Sequence, residues 1–138
     1  MSTLKAFLQP SVAGQTREVI VSERFKGEGG KTVPFVIQAI SQEENDRLSR
    51  QSQVKENVKG QRIERLDRSL YTKRLILACV KEPDLRSKEI CDYYGTIDPL
   101  DVPGKMLSVG EYGLLVDAIM DLNGVKDAQE KLEEAKNF

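Results

Sequence analysis

Apolar and polar positions alternate in two short stretches near the N-terminus. In Thr16 to Ser22, Val19 and Val21 point one way while Glu18, Ile20 and Ser22 point the other. In Thr32 to Ile40, Val33, Phe35, Ile37 and Ala39 share a side, with Val36 and Ile40 making the other side partly apolar. Period-two alternation predicts strands, and the intervening Phe25-Lys26-Gly27-Glu28-Gly29-Gly30-Lys31 predicts a hairpin loop. Two strands alone are marginal in water, so this hairpin must pack on helices or gain another strand. Ahead of it, Leu4, Phe7 and Leu8 before Pro10 read as a short apolar anchor, a helical turn or a docked arm.

From Ser41 the period lengthens. Ser41-Gln42-Glu43-Glu44 has the form of a capping box opening a largely polar helix, with Leu48 and Val54 its main apolar residues. Residues 51–60 are only weakly amphipathic and read as a linker. Ile63, Leu66, Leu70 and Leu77 then recur at helical spacing, and Leu75 to Val80 is apolar all round, which predicts the most buried segment of the chain, stopped by Pro83. A short helix from Ser87 to Tyr94 ends at Gly95, and residues 97–106, with Pro99, Pro103 and Gly104, read as loop or broken helix. Ser108-Val109-Gly110-Glu111 is a second capping box. It starts a helix to Leu122 with Val109, Tyr112, Leu115, Val116, Ile119 and Leu122 on its buried face, and Asn123-Gly124 closes it. Leu114 falls about 160° from that face, beside Asp117 and Asp121. A narrow stripe of Val125, Ala128, Leu132 and Ala135 marks a last, otherwise charged helix. The expected fold class is α+β, mainly α-helical, with an N-terminal β-hairpin packed on a small helical bundle. The expected organisation is one domain over 1–138: arm and hairpin in 1–40, helical core in 41–124 and C-terminal helix in 125–138.

Composition narrows the chemistry. The 138 residues include no His and no Trp, and only Cys79 and Cys91. Without imidazole, most general-base, nucleophile-activating and metal-binding arrangements are missing, and two cysteines make neither a disulfide framework nor a zinc site. Carboxylate pairs such as Asp98 and Asp101, Asp117 and Asp121, and Glu133 and Glu134 sit on polar faces with nothing to mark them as catalytic. Gly29-Gly30-Lys31-Thr32 imitates the end of a phosphate-binding loop. The required first glycine is replaced by Phe25, however, and a strand follows instead of a helix. No cofactor or metal site is therefore expected. The longest apolar run is far shorter than the roughly 20 residues that span a bilayer, and no signal peptide opens the chain, so a soluble cytoplasmic protein is expected, without membrane association.

Charge is segregated along the chain. Residues 46–74 carry nine basic against four acidic groups, and residues 75–138 seven against thirteen, within an overall balance of −1. The basic middle is expected to be solvated or to lie against the acidic half. As a nucleic-acid surface it lacks interleaved aromatics, Tyr71 being its only one, which disfavours that reading. Protein–protein contact remains, and the candidate partner-binding residues are Leu114 on its acidic face, and Val125 and Leu132 on the terminal stripe. The alternative for Leu114 is that the C-terminal helix folds back over it.

The order of many short segments carries a resemblance. These are Leu4-Lys5-Ala6-Phe7-Leu8, Val21-Ser22-Glu23-Arg24-Phe25-Lys26, Ala39-Ile40-Ser41-Gln42-Glu43-Glu44-Asn45, Ala78-Cys79-Val80, Pro83-Asp84-Leu85, Tyr94-Gly95, Gly110-Glu111-Tyr112 and Asn123-Gly124. Over nearly its full length the chain resembles the XkdN-like tail assembly chaperones of long-tailed phages and of phage-like elements in Bacillus-type genomes. The resemblance implies a non-enzymatic protein, absent from the finished virion, that binds the tape measure protein, keeps it soluble and helps tail tube protein assemble around it. It also implies a mainly helical fold with a small β element. A homo-oligomer is compatible with it. The competing readings are a structural tail component and, less favoured, a nucleic-acid-binding regulator.

Overall fold

Phe35, Ile37 and Ala39 turn to one side of an extended segment and are all buried, as their alternation requires. The computed structural model describes residues 3–125 and sets this segment at the centre of a small sheet. Strand β2 (Phe35–Gln38) pairs antiparallel with β1 (Thr16–Val19), Val19 facing Phe35, and on its other side with β5 (Val80–Glu82), Ile37 facing Val80. The N-terminal hairpin thus gains its third strand from the residues that follow the most apolar helix. Its connection is longer than the expected loop: Lys26 bridges Thr32, and Gly27 donates to the Lys31 carbonyl at 2.9 Å, making a small tied turn inside residues 20–34.

Ser41 caps α1 (Gln42–Gln51), its Oγ accepting the Glu44 backbone N–H at 3.1 Å. The reciprocal half of the expected box is replaced, because the Glu44 carboxylate turns to Arg47 one turn on. The largest correction comes next. Residues 51–60 are no linker, and no helix runs through Ile63. Strands β3 (Gln53–Val58) and β4 (Gln61–Leu66) form a second antiparallel hairpin, so the helical core expected over 41–124 is interrupted. Lys59 and Gly60 make its two-residue turn with φ of 51° and 80°, the double positive φ that matches strand twist. At the root, buried Ser52 donates its hydroxyl to the Leu48 carbonyl at 2.7 Å and accepts the Asp67 amide on its own carbonyl at 2.9 Å.

Asp67 then caps α2 (Arg68–Cys79), whose last turn is the most buried part of the chain, as expected: Leu75, Ile76, Leu77 and Cys79 are all buried, and Val80 continues into β5. Helix α3 (Lys88–Tyr93) is capped by Ser87, and Gly95 follows it with φ of 71°. Residues 99–101 make a helical turn leading to α4 (Val102–Met106). The capping box at Ser108 and Glu111 is present in full at the start of α5 (Val109–Leu122). Leu115 and Ile119 are fully buried against Ile37, Ile76 and Val102, with Tyr112, Val116 and Leu122 packed at the edge of the same cluster. Val109 is the exception on that face. It sits in the first position of the helix, beyond the core, and is 94% exposed. The N-terminal helical turn, Thr3–Phe7, has no buried residue and is not the docked anchor its apolar positions suggested.

Candidate partner-binding surface

Helix α5 presents two faces because its apolar residues follow the helical period while Gly110, Gly113, Leu114, Asp117 and Asp121 occupy the remaining side. All five are exposed. Leu114 keeps 44% of its surface in solvent, and the C-terminal helix that the alternative reading folds back over it lies outside the described residues. Asp121 is held by Arg17 of β1 at 2.8 Å, which leaves Asp117 as the nearest unpaired carboxylate to Leu114 among the described residues. Val125 lies just past the helix, its backbone N–H on the Met120 carbonyl at 2.9 Å, and lines a shallow cleft with Ile40, Tyr71 and Leu75. Leu114 and Val125 therefore occupy different parts of the surface. Leu132, the third predicted contact residue, falls outside the described residues.

Exposed apolar side chains are more prominent elsewhere. Phe7 is 79% exposed and Leu8 is also exposed, on the arm that precedes β1. Val58, Ile63 and Leu66 are exposed on the β3–β4 hairpin, which has no buried residue of its own. Sequence reasoning missed the hairpin, although the Lys59-Gly60 step between two alternating runs was a usable signal. It misread the arm by treating apolar character as burial. A third feature is an almost wholly apolar cleft of about 390 Å³ between Phe25, Val33, Phe35, Pro83, Ile90 and Met106, wide enough for one or two guest side chains.

The charged groups serve mainly to tie elements together. Arg24 grips both oxygens of Glu111 at 2.8 and 2.9 Å, donates to the Met106 carbonyl, and lies 4.3 Å over the Phe25 ring. With the Ser108 backbone N–H donating as well, the Glu111 carboxyl is held well below the usual carboxylate range. The basic stretch 46–74 is mostly solvated or locally paired, Arg47 with Glu44 and Arg65 with Glu56. Among the described residues only Lys73, 3.7 Å from Asp101, reaches the acidic half. Burial pushes the Cys79 thiol up to about 11, and the Asn123 amide, which donates to the Ile119 carbonyl at 2.8 Å, also donates to its sulfur at 3.8 Å. Among the described residues no three His, Cys, Asp or Glu side chains cluster to hold a metal, and no helix is long and apolar enough to cross a membrane. What the surface offers is apolar contact set among fixed charges.

The chain also resembles known proteins over most of its length. Residues 4–136 match the model of the phage XkdN-like tail assembly chaperone proteins. The XkdN protein of the phage-like element PBSX in Bacillus subtilis is 34% identical over 137 residues, covering 96% of this chain and 93% of the relative. The uncharacterised protein YqbN of the same bacterium is also 34% identical, over 94% of this chain and 90% of its own length. The crystal structure of a protein YqbN superposes with a TM-score of 0.71 at 28% identity, covering 88% of this chain and 96% of that one.

Proposed function

The chain belongs to the phage XkdN-like family of tail assembly chaperones, and from that membership we propose that it works by stoichiometric binding of the tape measure protein in the host cytoplasm. It keeps the tape measure soluble until tail tube protein assembles around it. The observation that carries this reading is the placing of Phe7, Leu8, Val58, Ile63 and Leu114 outside the core, where each keeps 44% or more of its surface in solvent. A very long helical client with apolar stripes aggregates unless those stripes are covered. Scattered apolar side chains among charges give contacts modest enough for growing tube to displace. Leu114, Val125 and Leu132 belong to the proposed contact set together with the arm and the hairpin.

Co-expression with a tape measure protein from the same phage or phage-like element, scored by pull-down and size exclusion, tests the proposal. A soluble complex that rescues an otherwise insoluble tape measure is the expected result. A tape measure equally soluble alone and never bound overturns it, and recovery of the chain from purified particles points to a structural tail component. Leu114→Asp and Leu132→Asp are expected to weaken the complex while leaving the far-UV spectrum unchanged. A loss of helicity would place them in the core.

A further inference from the structure

Among the described residues the β3–β4 sheet has two strands only, so each strand carries an edge of unpaired amides and carbonyls, and no residue of either strand is buried. Such an edge is a template for another strand, and natural edges are guarded by charges that disfavour pairing. The charges on β4 are arranged differently. The register, Val58 opposite Gln61 across a two-residue turn, makes Val58–Gln61 and Glu56–Ile63 hydrogen-bonded pairs, so Arg62 and Glu64 turn their backbone groups outward. Two copies related by a two-fold axis can pair their β4 edges only with one residue facing itself at the centre. Centred on Ile63, that pairing sets Ile63 against Ile63 and Arg62 against Glu64 on both sides of the axis, with Gln61 against Arg65 beyond. Centred one residue either way it stacks Arg62 on Arg62 or Glu64 on Glu64. In the middle of β3 the equivalent registers oppose Lys55 with Lys55 or Glu56 with Glu56.

We propose that two copies of this chain associate through β4, antiparallel and centred on Ile63, to give a four-stranded sheet in the order β3-β4-β4-β3. The occupant is a second copy because the charge pattern of this edge is complementary to itself in one register alone among the three at its centre. Pairing also relieves an arm that two strands by themselves hold only marginally. It joins Ile63 and Val58 of both copies on one face, and the outward amides of Arg62 and Glu64 each gain a partner. The association stands or falls independently of the chaperone reading.

The test is analytical ultracentrifugation of the full chain over a concentration series, alone and as two charge reversals. The wild type is expected to show a monomer–dimer equilibrium. Arg62→Glu sets two carboxylates against two, and Glu64→Arg sets two guanidinium groups against two. Each is expected to weaken self-association at least about tenfold, since both cross-strand charge pairs turn repulsive. An equimolar mixture of the two variants restores opposite charges at both contacts and is expected to dimerise like the wild type. Far-UV spectra should stay unchanged, because both side chains are exposed. Amide exchange gives a second readout: the Arg62 and Glu64 amides should slow as wild-type concentration rises. A wild type monomeric throughout, or reversals that dimerise as well as it does, would overturn the proposal. So would a monomer whose reversals lose a co-purifying tail protein, which would assign the edge to that partner.

Discussion

Glu111 shows how much one carboxyl can hold. It receives Arg24 from the long β1–β2 connection and the Ser108 amide at the start of its own helix, and the ion pair with Arg24 needs the ionised form. Its folded pKa is depressed, so its contribution to stability is present above the unfolded value of about 4.3 and is lost as pH falls below it. Glu111→Gln should therefore melt below the wild type at pH 7, with the gap closing as pH is lowered past 4. Thermal melts across that range check it, and a gap independent of pH would contradict the linkage. Cys79 behaves oppositely: burial pushes its thiol up to about 11, so an aromatic disulfide reagent at pH 8 should react with it only after unfolding. The serine and glutamate of the α5 box were readable from their spacing alone. The partner of Glu111 was not, because Arg24 lies 87 positions away.

Helix α5 was legible as an element because its periodicity and caps agree, and it should respond to its cap, whereas only the apolar last turn of α2 was read at its true place. Ser108→Ala is expected to cost about 1 kcal/mol, measured by urea unfolding. The β3–β4 hairpin was missed, despite its Lys59-Gly60 step, for a physical reason. Ile63, Leu66 and Leu70 sit at helical spacing by coincidence, two in a strand and one in a helix, with the Asp67 cap hidden between them. Its turn uses Lys59-Gly60 in place of Asn-Gly, and its strands are too charged to announce a buried side. Lys59 pays for its positive φ, so Lys59→Asn should slow amide exchange within the hairpin without shifting the global melt. β5 escaped notice because three residues that continue an apolar helix carry no strand signal of their own.

At the scale of the whole molecule, the mixed α+β character was visible from the sequence, while the distribution of exposed apolar groups was not. Amphipathic periodicity reports which residues share a side, and only the packed structure shows which side is left in water. The arm is the clearest case. Phe7→Ser with Leu8→Ser should leave the melting temperature unchanged while reducing the amount of tape measure recovered in soluble form. A lowered melting temperature would mean that the arm is part of the folded body. Ile76→Ala, at the fully buried centre, should instead cost about 2–5 kcal/mol in denaturant unfolding. The tie between Arg24 and Glu111 has a temporal side as well. A ribosome delivers the arginine first and, at roughly 5–20 residues per second, the glutamate on the order of ten seconds later. Over that interval the β1–β2 connection lacks its tie to α5, and for the first part of it β2 lacks the strand that arrives with Val80. A member of a chaperone family thus passes through an unprotected stage of its own, with Phe25 and Phe35 open to cellular holdases until α5 is made.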